Sequence, residues 1–503
     1  MKTYKSFLLV ALMLLCGATQ SMASVQNFDA WTSDNHTDYS TSSKTYDFIA
    51  LEGTTLSFKW SVSSESGCDW LNVTLDGVLL FEESGEANGI FEREIAPGEH
   101  TLLFSYVKDG SVANGSDQAT VYDIKVECPD IDIDEEDFAE FITTLEDYPA
   151  FKEEIQLVYD EYLQLDDSAT EDDRRKATKR YNEVKNRIKS AIEAIESIVN
   201  RIAEIDTLSD LNSYSELKEA LNVAKTISTA STTTEVLEAH KLINQEWAVY
   251  CAFHTNMDEW NFSNYYNIGG FSVYLDNQNK VSRVYLGNDT LPCVDKTLIL
   301  PRTFEVNGEF FPVVYIEGTD NTYNSNRNSI EHITIPNTVQ YIGNYAFYNI
   351  DNLKQLDIPA SVKKVASSFV SSSDRLRIID FNAHAPILDK QFSMPNSYVY
   401  LRVPDIYLDD YLDHQYWGLA RVIAKNARTI EVTLTEQGDL GWHILIQEED
   451  VRKVNRLVVK SGILNAEDWT YLKSMRNLIY VDLSGCSNTE LPSYVFDESK
   501  QNL

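Results

Sequence analysis

The chain has 503 residues, with 78 acidic against 42 basic side chains and a formal charge of -36. An apolar content of 43%, including 8 Trp, 28 Tyr and 21 Phe, is enough for packed cores and excludes a wholly disordered chain. The charge argues against nucleic acid and anionic lipid as partners, since both call for a basic face.

At the N-terminus Lys2 and Lys5 precede an apolar run from Phe7 to Leu15. Ser21-Met22-Ala23 then supplies small residues at the two positions a signal peptidase reads. Residues 1–23 are therefore expected to be a signal peptide cut after Ala23, and the mature protein to be extracellular or at the cell surface. The run is too short to span a bilayer, and no later segment reaches about 18 uninterrupted apolar residues. Cys16 follows Leu15, which is bulky where a lipobox wants a small residue. Five other cysteines are widely spaced and imply neither a disulfide framework nor a zinc motif. Cys68 and Cys128 could pair with each other or stand as separate thiols.

Residues 24–129 read as all-β. Apolar and polar residues alternate from Leu56 to Val62, the period of a half-buried strand. Leu71, Val73 and Leu75 alternate again and run into Asp76-Gly77, a hairpin-turn dipeptide. Leu102, Phe104 and Tyr106 form a third apolar face, and Tyr122, Ile124 and Val126 a fourth. Short strands separated by turns predict a β-sandwich. The run from Trp60 to Asp76, with Ser84-Gly85, Gly98-Glu99-His100 and Asp117, resembles the jelly-roll modules of bacterial surface proteins.

Residues 130–250 change period. Phe151, Ile155, Val158, Tyr162 and Leu165 lie at helical spacing. Tyr181, Val184, Ile188, Ala191, Ile195, Ile198, Ile202 and Ile205 predict one long helix, with Ser168 and Glu171 as its capping box. Leu217, Leu221 and Ala224, then Val236, Ile243 and Trp247, predict two shorter helices. Ile192 and Val199 widen the apolar stripe, which favours an antiparallel bundle acting as a spacer over a dimerising coiled coil. Residues 130–173 hold 18 acids and one base, so much of the charge sits here.

The remainder repeats. Ile330-x-x-Ile333-x-Ile335-Pro336 recurs as Leu353-x-x-Leu356-x-Ile358-Pro359, as Leu376-x-x-Ile379-x-Phe381 and as Tyr398-x-x-Leu401-x-Val403-Pro404. The starts are 23, 23 and 22 residues apart. Leu298-x-Leu300-Pro301 is a partial copy, and the motif returns around Leu457 and Val481. A period of 20 to 29 on this motif is that of a leucine-rich repeat, in which stacked short strands share a core. Ile333, Ile335, Phe347, Leu353, Leu356, Ile358, Ile379, Leu401, Leu457 and Val481 are the expected repeat core.

Ile335-Pro336, Val339, Ile342-Gly343, Ala346-Phe347 and Leu353 together resemble the BspA-like leucine-rich repeats of bacterial surface antigens. The resemblance implies a repeat domain over 251–425, with a second block starting at 426–503. It also implies adhesion or recognition of a protein or glycan ligand. The half-repeat from Leu491-Pro492 to Phe496, with no polar cap after it, reads as a fragment of a longer protein.

Nucleotide-binding, hydrolase, zinc-protease and dithiol motifs are missing from the sequence. The eight histidines are scattered, and His443 beside Trp442 reads as structural. Asp130, Asp132 and Asp134 mimic a calcium loop, but Glu135 and Phe141 stand where its glycine and glutamate belong. Asp69, Asp76, Asp109, Asp117 and Asp123 could include a structural calcium site, although turn and surface acids are the commoner case. No other cofactor is expected. Trp31 and Trp70 are candidate sugar-stacking residues, whereas Trp60 falls in the apolar set.

The expected fold is multidomain: an all-β sandwich, an α-helical bundle, then a leucine-rich repeat solenoid. The expected function is non-catalytic adhesion or recognition through the repeat face. The alternatives are carbohydrate binding by the β-sandwich, or an accessory role in a larger extracellular enzyme.

Overall fold

The computed structural model describes residues 24–492, except 36, 111–114, 129–130, 167, 288–290, 321–326, 389, 397 and 449. The expected signal peptide with its cleavage site at Ala23, Asp130 and Phe496 lie outside the described residues. The fold is mixed and strand-rich, with helices and several sheets. It divides into two compact units, Met1–Leu208 with Leu221–Lys241, and Ser209–Ala220 with Leu242–Leu503.

Among the described residues the first unit opens with nine strands. These are β1 (Ser24–Phe28), β2 (Trp31–Thr32), β3 (Thr41–Ala50), β4 (Thr55–Ser63), β5 (Trp70–Leu75), β6 (Val78–Glu83), β7 (Glu86–Glu94), β8 (Gly98–Val107) and β9 (Gln118–Cys128). They form two antiparallel sheets, β1-β9-β4-β7 with β2 on β9, and β3-β8-β5-β6. Both sheets feed one core. Leu56, Phe58 and Val62 from the first meet Leu71, Val73, Leu102, Phe104 and Tyr106 from the second. Alternation explains which residues point inward.

Asp76 and Gly77 both take positive φ (52° and 77°), as a two-residue hairpin loop requires. The expected fourth face is corrected at one residue. Ile124 and Val126 are buried, but Tyr122 is exposed and Val121 takes the inner place. Asp123 sits at φ 51° and the pairing of β4 with β9 shifts register there. This bulge reverses which side chains face the core.

Helices follow: α1 (Glu135–Thr144), α2 (Pro149–Leu163) and α3 (Glu171–Ile205). Asp134 caps α1 by accepting from the backbone N–H of Glu136 and Asp137. Pro149 opens α2, where its missing N–H costs nothing. The cap of α3 is Thr170 with Asp173, not Ser168 with Glu171. Ser168 instead donates to Asp166 in a local turn. Tyr181, Val184, Ile188, Ala191, Ile198 and Ile205 form the buried stripe of α3, whereas Val199 is exposed and does not widen it.

The start of α3 docks on the paired sheets. Arg175 is fully enclosed and donates to Ser24 Oγ and, at 3.2 Å, to Gln26 Oε1. Thr178 Oγ1 donates to the Ile131 carbonyl at 2.7 Å, and Lys179 pairs with Glu99 at 2.8 Å. Two further helices are α4 (Ser215–Ala224) and α5 (Thr233–Phe253).

The second unit is built on parallel ladders. The strand Gln355–Ile358 pairs with Ile378–Phe381, then Tyr400–Val403, then Val422–Ala424. In register, Leu356, Ile379, Leu401 and Val422 are neighbours, and Leu298 aligns with Ile333 in the same way. A second ladder joins Glu309–Glu317 to Tyr341–Ile342 and Lys364–Val365. Between the ladders runs one core that includes Ile333, Ile335, Phe347, Leu353, Leu356, Ile358, Ile379 and Leu401. Each buried aliphatic side chain contributes roughly 1.5–3 kcal/mol.

The Ile342-Gly343 turn has a local cause. Tyr315 and Tyr341 stack at 4.5 Å with an interplanar angle of 9°. A Cβ on Gly343 would lie 2.7 Å from the Tyr315 ring, so only glycine leaves room for the stack. Trp417 and Tyr411 are fully buried at the far end, and Trp417 Nε1 donates to the Pro386 carbonyl at 2.8 Å.

A third ladder, Thr429–Thr433, Arg456–Ser461 and Tyr480–Asp482, covers its own core. Leu457 is buried in that core and Val481 packs partly buried against it. Two asparagines join this block to the one before. Asn455 Oδ1 accepts from Ala424 N at 3.2 Å, and Asn477 Oδ1 accepts from Val422 N at 3.0 Å.

Candidate functional site

The repeat strands present one face to their core and one away from it. Along Gln355–Ile358 burial alternates, with Gln355 and Asp357 outward and Leu356 and Ile358 inward. The outward positions stack across copies as two columns. One holds Gln355, Ile378 and Tyr400, and the other Asp357, Asp380 and Arg402.

The inward positions repeat one chemistry and the outward positions vary it. Asp380 is buried by its neighbours. Its carboxylate accepts from Arg402 Nε at 2.9 Å and pairs with Lys425 at 2.9 Å. Arg421 lies over the Tyr400 ring at 5.6 Å, and Arg377 over Tyr398 at 5.2 Å. The face thus passes from acidic at Asp357 to basic at Arg402. Sequence reading missed these outward residues; their signal was the polar side of the same alternation.

The two candidate tryptophans differ. Trp31 is 8% exposed and stacks against Phe104 at 6.2 Å, inside the core of the paired sheets. Its ring faces are used in packing, which removes it as a sugar-stacking residue. Trp70 is half-buried on the side of β5 away from the core, opposite Val107. Asn72 and Ser105 form the next outward pair on the same sheet. Trp60 packs partly buried against the core.

Of the five aspartates of the first unit, Asp69, Asp109 and Asp117 lie together, whereas Asp76 and Asp123 pair elsewhere. Asp76 is 2.7 Å from His100, and Asp123 is 2.8 Å from Lys59. Asp69 is buried, which pushes its carboxyl up, and its Oδ1 accepts from the Asp109 backbone at 2.9 Å. Desolvation also works on Asp117, but donors from Lys108 and Tyr106 outweigh it and hold that carboxyl down. The Lys108 ammonium pairs with Asp117. Among the described residues no group of three or more His, Cys, Asp or Glu side chains is placed to hold a metal ion.

Cys68 and Cys128 stand as separate thiols, Cys128 buried beside Thr54 Oγ1 at 3.1 Å. In the calcium-like run Asp134 caps α1, and Asp132 accepts from Tyr162 Oη at 3.0 Å. His443 Nε2 lies 3.0 Å from Asp439 Oδ2 within one helical turn. Among the described residues no helix is long and apolar enough to cross a membrane.

Parallel ladders in register at a spacing near 23 residues define a leucine-rich repeat. The model of the BspA type leucine rich repeat region matches residues 319–404 in six copies, so that stretch carries BspA-type leucine-rich repeats. No curated protein matches the chain.

Several solved structures are similar over part of it. A leucine rich cell surface protein from Faecalibacterium prausnitzii A2-165 is 14% identical over 44% of this chain and 55% of its own, with a TM-score of 0.20. A leucine-rich repeat protein from Bacteroides capillosus ATCC 29799 is 17% identical over 24% of this chain and 99% of its own, with a TM-score of 0.18. The secreted serine protease VesC from Vibrio cholerae is 12% identical over 20% of this chain, with a TM-score of 0.17. The match spans 21% of VesC's length.

Proposed function

We propose that this chain is a non-catalytic, exported bacterial surface protein that recognises a protein or glycan through the outward face of its repeat strands. In this reading residues 24–129 are a β-sandwich, 130–250 a helical spacer, and 251–425 and 426–503 two repeat blocks. The observation that carries it is the contrast across one strand. Leu356, Ile379 and Leu401 repeat a single apolar chemistry inward, while Gln355, Ile378 and Tyr400 differ from copy to copy outward. A surface built only to pack or dissolve would not need neighbouring columns of aromatic, amide, acid and guanidinium groups.

The test is binding of the full chain to immobilised protein and glycan arrays, compared with the double variant Gln355→Ala, Tyr400→Ala. At least a tenfold loss is expected on whichever array binds. An unchanged affinity, or hydrolysis of an arrayed polymer, overturns the reading.

A second reading rests on Trp70. It is a half-exposed indole on a sheet face, followed by Asn72 and Ser105, which suits stacking on a sugar ring with polar groups alongside. It would make the N-terminal sandwich a carbohydrate-binding module. Polysaccharide gel retardation lost on Trp70→Ala supports it, and no retardation by any polysaccharide removes it.

A further inference from the structure

The residue after the proline takes the same place in three copies of the repeat: Arg302 after Pro301, Asn337 after Pro336, and Ala360 after Pro359. All three line one crevice of about 370 Å³, whose other wall is the start of α4 and the end of α5. The first two reach the helices. Arg302 Nη1 donates to Glu246 Oε1 at 2.5 Å, and Asn337 hydrogen-bonds the Glu216 carboxylate. Ala360 carries only a methyl group at that place and reaches nothing comparable.

The chemistry of the crevice is specific. Tyr214, Tyr250 and Phe253 form an aromatic wall, with Tyr214 edge-on to Tyr250 at 4.8 Å and 6.0 Å from Phe253. The Arg302 charge is matched by Glu246, which is buried and whose carboxyl burial pushes up. Glu216 adds a further negative charge, its carboxyl held down by its own backbone N–H, by Ser215 and by Arg302. Behind the wall Asp210 accepts from Tyr250 Oη at 3.1 Å, and His254 lies 3.4 Å from the same carboxylate. Carboxylates therefore outnumber cations beside aromatic faces. An ammonium or guanidinium gains on both counts, whereas an anion would meet Glu216.

We propose that this crevice binds a basic side chain, the lysine or arginine of a partner polypeptide. The proposal does not depend on the outward strand face, which lies on a different part of each repeat.

The test is calorimetric titration of the full chain with Nα-acetyl-lysine methylamide and the arginine equivalent, against the norleucine equivalent, which has the same reach without charge. At least one basic probe should bind tenfold or more tighter than norleucine. Glu216→Gln should weaken it at least fivefold by removing charge alone. Ala360→Trp should do the same by filling the crevice, with Ser361→Trp as the second filling variant if circular dichroism finds the first misfolded. Equal binding of norleucine overturns the proposal. So does undiminished binding in the filled variant, or no heat from either basic probe.

Discussion

Asn477 Oδ1 accepts the backbone N–H of Val422 at 3.0 Å, across 55 residues of chain. Val422 stands in the last strand of the first repeat ladder, whose N–H groups would otherwise be buried without acceptors. Asn455 does the same for Ala424, and Asn455 Nδ2 donates to the Asn477 carbonyl at 3.2 Å. The two blocks are sewn together by side chains that imitate the missing strand.

That joint should be energetically visible. Asn477→Ala leaves a buried N–H without a partner, which costs about 1–3 kcal/mol. A lower urea midpoint for the block around Leu457 checks it, and Asn477→Asp, which keeps an acceptor, should recover part of the loss. An unchanged midpoint in the alanine variant would show that the bond contributes nothing.

The two tryptophans should part company. Trp31→Ala opens a cavity in the sheet core and should cost roughly 3–5 kcal/mol. Trp70→Ala should leave the thermal midpoint of the first unit within about 2–4 °C, because its ring packs less, and should act on sugar retention instead. Melting curves of the two variants, side by side, separate these outcomes.

Gly343→Ala should destabilise the repeat block by about 1–3 kcal/mol through overpacking, since its methyl carbon would lie 2.7 Å from the Tyr315 ring. The companion change Tyr315→Leu removes the clash. A double-mutant cycle should therefore return a favourable coupling between the two sites.

Asp439 gives a pH test. Burial raises its carboxyl, but hydrogen bonds from Glu436, Thr435 and His443 outweigh that and hold it at about 2. A depressed native value adds stability that is complete above the unfolded carboxyl value. That stability is lost as pH falls through the native value. Asp439→Asn should lower the urea midpoint at pH 7 and have much less effect near pH 1.5. Carbon-13 titration of the side chain should report the low midpoint directly.

Much of the repeat was legible because its cause is one-dimensional. Leu356, Ile379 and Leu401 recur at the length of one turn, and the ladder register follows from that spacing. The turn at Asp76-Gly77 was legible for a similar reason, since its residues favour positive φ. Tyr122 was not, because the bulge beside it rests on an aspartate in an unusual conformation that composition does not announce. The cap of α3 moved by two residues because Asp166 competes for Ser168. The crevice beneath α4 and α5 could not be read at all. Its walls come from residues more than 140 positions apart, with the small side chain of Ala360 among them.

The Tyr315–Tyr341 pair carries an optical consequence. Two phenol rings 4.5 Å apart and nearly parallel form a coupled chromophore pair, with Lys364 Nζ 5.1 Å from the outer ring. Coupling between the rings adds a contribution to the near-ultraviolet dichroism that separated tyrosines do not make. It comes from two paired strands of one ladder, so its amplitude reports whether those strands are seated on one another. The protein thus contains its own spectroscopic gauge of repeat stacking, readable without a label in a chain with 28 tyrosines by difference against Tyr341→Leu.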